Sequence, residues 1–317
     1  MKSILDEKII LPSVIVSLLI LLHSCSTVQK DYFTEGMDFF SQGNYYKAIE
    51  LFDIALTKSP ESKIYFNKAK ALSKTGQLRE ALITYSKAIE LQPNFAEAYL
   101  NRALCHFDLQ NINESFKDLN ICIGLNENFS EAYFARAYLN SFNNNYSAAI
   151  EDYGKYINLE PNDARGYVNR GNVKGMIEDP LGAIDDFTTA IEIDPRNINA
   201  YISRGTDKGI LGDYEGAIED FTEAIKLDNK TPQYFYMRGE AKFMIDDFKG
   251  AVKDYEMMIK LDPKDGRAYY VKGLAELNLK NKTKGCSDLK KAAELGFVEA
   301  FSAIAENCTE TQKKKSK

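Results

Sequence analysis

Tryptophan is absent from the 317 residues, and histidine occurs only twice, as His23 and His106. Two histidines cannot supply a histidine metal cluster, and one of them lies near the N-terminus, far from the other. No Ser-His-Asp set, metal-ligand cluster or glycine-rich phosphate loop is present. We therefore expect no catalytic residue, no metal, no cofactor and no enzymatic activity. A basic excess is also missing: 40 Lys and Arg stand against 46 Asp and Glu, a net charge of -6, which argues against a nucleic-acid partner. The one notable apolar run, Ile9 to Leu22, has 14 residues, short of the roughly 20 that a spanning helix needs. What remains is ordinary for a folded chain, 44% hydrophobic and 27% charged. Its length suits two globular domains or one long repeat array.

The apolar run follows Lys2 and Lys8 and ends at Leu22-His23-Ser24-Cys25. Its length matches the core of a signal peptide. The terminal Leu-x-Ser-Cys resembles the lipobox of bacterial lipoproteins. That resemblance implies cleavage before Cys25, a lipid on its sulfur and an acylated new N-terminus, each buried methylene contributing roughly 0.8 kcal/mol. Ser26 stands where an aspartate would imply inner-membrane retention, so the resemblance implies a lipid-anchored envelope protein of the outer membrane, facing either side. An uncleaved anchor is the alternative. Residues 1-24 are then the signal peptide and 25-28 a lipidated linker, which holds the first helix within roughly 15 to 20 Å of the lipid.

From there the chain repeats itself. Tyr65, Tyr99, Tyr133, Tyr167, Tyr201, Phe235 and Tyr269 follow one another at 34-residue steps, with Tyr32 33 residues earlier. A small residue comes four later, from Gly36 and Ala69 to Gly239 and Gly273, and a second twelve after that, from Ala48 to Gly285. Aromatics such as Phe52, Tyr85, Phe187, Phe221 and Tyr255 follow, and Pro60, Pro93, Pro161, Pro195 and Pro263 keep the same clock. This pattern resembles the tetratricopeptide repeat. The resemblance implies an all-α, right-handed superhelical solenoid of about eight helix–turn–helix hairpins, 29-61, 62-95, 96-129, 130-163, 164-197, 198-231, 232-265 and 266-295. No hairpin buries its apolar face alone, so neighbours must stack. Gly43, Gly76, Asn144 and Gly212 fall at the turns between helices, where a left-handed residue is useful. Tyr156 and Met258 replace the small residue that lets the next hairpin approach, and should alter the superhelical pitch locally.

Comparing the repeats with one another exposes a charge pattern. Arg102, Arg136, Arg170, Arg204 and Arg238 are each followed sixteen residues later by Asp118, Asp152, Asp186, Asp220 and Asp254, and Lys272 by Asp288. The first two repeats break it, with Glu35 and Leu51, then Lys68 and Thr84. In an antiparallel hairpin these positions lie level, so we expect structural ion pairs; a basic ligand stripe is the alternative.

Phe297, Ala300, Phe301, Ile304, Ala305 and Cys308 recur at helical spacing and suggest a capping helix over 296-308, with a basic disordered tail over 309-317. Cys286 and Cys308 are about equally far from the turn near Gly296, so antiparallel packing would make them a disulfide. Cys105 and Cys122 are expected to be packing residues.

In the repeat family the first helix of each hairpin lines a concave groove. The resemblance places there Phe33, Phe66, Asn67, Lys70, Leu100, Asn101, Phe134, Asn169, Tyr236 and Tyr270, an apolar row with intermittent amides suited to a peptide. It implies a scaffold or adaptor that binds an envelope protein or peptide segment, alongside the membrane contact through Cys25. A spacer without a ligand groove is the competing reading, and an enzyme a remote one.

Overall fold

Thirty-four-residue periodicity becomes a series of helical hairpins. The structure is a computed structural model and describes residues 31–308. The expected signal peptide, Cys25 with its linker, and the tail over 309–317 lie outside the described residues. Among the described residues there are seventeen α-helices and no strand. The first hairpins are α1 (Tyr32–Ser41) with α2 (Tyr45–Lys58), α3 (Ser62–Lys74) with α4 (Leu78–Leu91), and α5 (Ala96–Asp108) with α6 (Ile112–Leu125). Then come α7 (Ser130–Phe142) with α8 (Tyr146–Leu159), α9 (Ala164–Met176) with α10 (Pro180–Ile193), and α11 (Ile198–Ile210) with α12 (Tyr214–Leu227). The series ends with α13 (Pro232–Met244) and α14 (Phe248–Leu261), α15 (Gly266–Asn278) and α16 (Lys282–Glu294), and a single α17 (Glu299–Asn307).

These residues fall into two compact units, dividing after Asp118. In the first unit each helix from α1 to α4 packs on its successor, and α1 also touches α3, as α3 touches α5. The second unit, from α7 onward, is built the same way, with α7 against α9 and α9 against α11. Within a unit the odd-numbered helices therefore lie side by side, and the even-numbered ones back them.

Local chemistry explains where the helices stop. Every hairpin turn contains one residue with positive φ, namely Gly43, Gly76, Gln110, Asn144, Glu178, Gly212, Asp246 and Lys280. At the first turn the Gly43 and Asn44 N–H groups donate to Phe40 O and Phe39 O, closing the helix end in a left-handed cap. Only four of the eight are the Gly and Asn residues that the sequence singles out; the other four hold the same conformation with a side chain that disfavours it. Asp179, Asp213 and Asp247 cap the following helices by accepting from the N–H of Gly182, Gly216 and Gly250.

In six of the eight hairpins a small residue lies beneath an aromatic ring sixteen positions later, and in the third and eighth Leu119 and Leu289 take the place of the ring. A Cβ on Gly36, Gly171, Gly205 or Gly239 would come within 2.5–2.8 Å of Phe52, Phe187, Phe221 or Tyr255. Burying such a ring stabilises by roughly 1.5–3 kcal/mol, which requires that close approach. Tyr156 and Met258 are both fully buried. Tyr156 is accommodated by a compensating loss: Gly166 stands where neighbouring hairpins have Ala132 and Ala200, and its Cβ would come within 2.7 Å of the Tyr156 ring.

The end of the second unit departs from the expected cap. The helix starts at Glu299, and Ala300 and Ala303 are buried, whereas Phe301 is 60% exposed. Phe297 precedes the helix and packs on Tyr270, ring centroids 4.9 Å apart. A periodicity counted through Phe297 therefore has the wrong phase. Cys286 and Cys308 are joined in a disulfide that ties α16 to the end of α17.

Candidate functional site

The odd-numbered helices carry the cations of the charge pattern and the expected groove residues, and the even-numbered ones carry the aspartates. Arg102 Nε and Nη2 donate to the two oxygens of Asp118, each at 2.7 Å. The same two-pronged contact joins Arg136 to Asp152, Arg170 to Asp186, Arg204 to Asp220 and Arg238 to Asp254, at 2.6–3.0 Å. Lys272 reaches Asp288 at 3.1 Å. Those five arginine-bound aspartates are each no more than 4% exposed. Each arginine also lies against the aromatic three residues before it, with Arg102 5.5 Å from the centre of Tyr99.

A third prong extends backward. The Nη1 groups of Arg102, Arg136, Arg204 and Arg238 donate to Ser86, Asn120, Thr188 and Thr222 of the preceding hairpin, at 2.7–3.1 Å. Gly154 occupies that place before Arg170. In hairpins five to seven a second cation joins, with Lys174, Lys208 and Lys242 at 2.8–2.9 Å from Asp186, Asp220 and Asp254. His106 takes that position near Asp118, and burial, outweighing the pull of Asp118, pushes its pKa below the ordinary value. Lys68, whose own hairpin offers Thr84, instead reaches back to Asp53 at 2.5 Å.

The expected groove residues divide by environment. Phe33, Phe66, Asn67, Lys70, Asn101, Phe134, Asn169, Tyr236 and Tyr270 are all half-buried. Leu100 is only 8% exposed, so it packs inside rather than offering a surface, because its neighbours close over the apolar side chain. The rings also take part in packing: Phe33 against Phe52, Phe66 against Tyr85 and Phe95, Phe134 against Tyr153 and Tyr156. Nor is the aromatic row bare. Lys63 lies over Phe33, Lys70 over Phe66, Arg165 over Phe134 and Arg267 over Tyr236, at 4.4–5.4 Å from the ring centres. The Asn67, Asn101 and Asn169 amides donate to the carbonyls four residues earlier, Lys63 O, Glu97 O and Arg165 O.

The sequence places Lys70 in the groove but gives no sign of Lys63, Arg165 and Arg267 over the rings, or of the cluster around Arg165. Arg165 donates to Glu131, Asp163 and the Tyr156 hydroxyl, and Tyr156 donates to Asp163. Burial pushes the Asp163 pKa up, but the Arg165 and Tyr156 hydrogen bonds outweigh it and hold the carboxyl at about 2. Asp207 was missed as well. It is 8% exposed on α11, and burial shifts its carboxyl upward from the ordinary value. Its signal is a break in the repeat, since the equivalent residues include Cys105, Leu139, Val173, Ala241 and Ala275.

Among the described residues no helix is long and apolar enough to cross a membrane, and no group of three or more His, Cys, Asp or Glu could hold a metal ion. Family models described as TPR repeat and tetratricopeptide repeat match residues 69–110 and 210–246, and residues 96–129 and 130–163. Residues 69–163 and 210–246 are tetratricopeptide repeats. The hairpin fold agrees with a solved structure of the C-terminal part of a TPR repeat-containing protein from Cytophaga hutchinsonii. That chain is 19% identical, with a TM-score of 0.67, covering 75% of this chain and 99% of the other. YrrB, described as a TPR protein with an unusual peptide-binding site, is 19% identical with a TM-score of 0.53, covering 59% of this chain and 97% of its own. Among curated proteins, mouse (Mus musculus) DnaJ homolog subfamily C member 7 is 34% identical over 89 residues, 26% of this chain. The match spans only 18% of that relative's length.

Proposed function

We propose that this chain is a protein-interaction scaffold, tethered to a bacterial outer membrane through a lipid on Cys25, that binds a peptide segment of an envelope protein along the odd-numbered helices within a unit. The observation that carries the reading is the row of half-buried rings and asparagines on those helices. A row of this kind offers ring surfaces, and each asparagine has a second N–H and an amide oxygen beyond the bond to its own helix with which to meet a peptide backbone. The cations over the rings add a second recognition element: Lys63 and Arg165 pair with Glu61 and with Glu131 and Asp163, but they remain about half exposed, so carboxylates of the partner can compete for them. The ladder arginines are held against buried aspartates, so ligand binding falls to the residues beside them. The reading is of a binding protein, not an enzyme.

Cross-linking in intact cells, followed by identification of the recovered proteins, tests the binding surface. The doubly substituted Phe66→Ala, Asn101→Ala chain should lose partners that the wild type recovers; an identical set from both would remove this surface from consideration. Palmitate labelling should mark the wild type and not Cys25→Ala. Equal labelling of the two would end the anchoring proposal.

A further inference from the structure

Asp207 occupies a position that is apolar in six other hairpins: Ala71, Cys105, Leu139, Val173, Ala241 and Ala275. It lies on α11, which touches α9. Opposite stands Gly175, whose Cβ, if it had one, would be 3.8 and 3.9 Å from the two carboxylate oxygens. The corresponding pair in the first unit is Ser73 and Cys105, which meet at 3.1 Å between oxygen and sulfur. With glycine in place of serine, no side chain of the opposing helix hydrogen-bonds to Asp207. The nearby cations are committed elsewhere: Lys174 and Arg170 to Asp186, Lys208 and Arg204 to Asp220. Only burial acts on the Asp207 carboxyl, weakening its acidity, with no cation to offset it.

The carboxylate lines a small cleft between the two helices, together with Gly171, Gly175, Asn172, Ile202 and Thr206. Phe187 packs against Gly171 and gives the cleft an apolar side. At the rim, Ser203 Oγ donates to Asn172 Oδ1 at 3.2 Å, and Asn172 and Thr206 are exposed. A buried carboxylate left unpaired is costly unless something pairs with it.

We propose that this cleft receives a lysine side chain of the bound polypeptide, with the ammonium group donating to Asp207 and the aliphatic stem lying along Ile202 and Phe187. Lysine fits better than arginine because it is a compact point charge on an apolar stem, whereas a guanidinium needs room for a planar fork. The inference rests on the peptide-binding reading and adds a residue preference to it.

The test uses the full chain. Random peptides displayed on phage are selected on the wild type and on Asp207→Asn, and a selected peptide is synthesised with lysine, norleucine or Nε-acetyl-lysine at the recurring position. A lysine should recur in the wild-type selection only. Norleucine and acetyl-lysine should each weaken binding to the wild type about tenfold or more, as expected for a lost charge-assisted hydrogen bond. Binding to Asp207→Asn should be unaffected by the exchange. Gly175→Ser, which gives the carboxylate an internal donor, should abolish the lysine preference in the same way and serves should the asparagine variant fold poorly. Peptides recovered without any lysine preference, or an equal loss on both proteins, would overturn the cleft while leaving peptide binding intact. Recovery of no peptide at all would overturn both.

Discussion

Hairpins one and two and hairpins five to seven fill the same internal slot with opposite chemistry. In α1–α4 the slot holds Leu51 and Thr84, and packing is carried by rings: Phe33 on Phe52, Phe40 on Tyr45, Phe66 on Tyr85. In α9–α14 it holds Asp186, Asp220 and Asp254, each gripped by an arginine and a lysine. Both regions keep the small residue beneath an aromatic ring, as at Gly36 with Phe52 and Gly205 with Phe221. The close crossing of the two helices is therefore the requirement, and the slot beside it is a free choice. An apolar slot tolerates adjustment, while a buried carboxylate holds its partners in register, since losing one strands the other.

Hairpin three, with only one cation on its aspartate, provides the largest test of that contrast. Arg102→Met removes the one cation that Asp118 binds, and should cost about 3–5 kcal/mol in urea unfolding. Arg204→Met leaves Lys208 on Asp220 at 2.9 Å and should cost about half as much. Equal losses would mean that the second cation contributes nothing. The disulfide comes next: replacing Cys286 and Cys308 together by serine should destabilise α17 by about 2–4 kcal/mol. Hydrogen exchange should report this at α17 and leave α1–α4 unchanged; uniform loosening would refute a local role.

Two substitutions should instead stabilise the ion-rich region. Asp207→Asn removes a buried charge and should add about 1 kcal/mol at pH 7. A carboxyl whose folded pKa lies above the ordinary 3.8 is penalised as pH rises through that folded value, so the advantage should vanish below about pH 3.8. A gain that persists in strong acid would exclude ionisation as its cause. Glu178→Gly relieves a left-handed backbone at φ 61°, and should add about 1 kcal/mol. The smallest effect belongs to the apolar slot. The Thr84 hydroxyl only donates to Glu80 O on its own helix, so Thr84→Val should change stability by less than about 0.5 kcal/mol. A large loss would show that this slot is as polar in demand as those holding aspartate.

Much of this architecture is legible without coordinates. The recurrence of Tyr65, Tyr99 and their successors specifies hairpins, because an aromatic, a small residue and a second aromatic at these spacings can only be buried by two close helices. The sixteen-residue separation of Arg102 from Asp118 is visible in the same way, and the two are in contact in the fold. Turns at Gln110, Glu178, Asp246 and Lys280 are hidden, since a left-handed residue without glycine or asparagine leaves no local mark. The cations over Phe33, Phe134 and Tyr236 belong to the hairpin that follows each ring, so no local pattern reveals them.

By itself the sequence determined the repeating hairpin, its helix-crossing residues and the partners of its internal charges, because all of these are periodic and the contacts lie at constant separations along the chain. Tertiary structure alone decided which groove residues are covered, that Leu100 faces inward, that Phe301 faces out, and that Asp207 opens into a cleft. Each of those depends on the side chains that one particular neighbour brings across the boundary between hairpins, and Gly166 shrinking to admit Tyr156 shows how individually such boundaries are fitted.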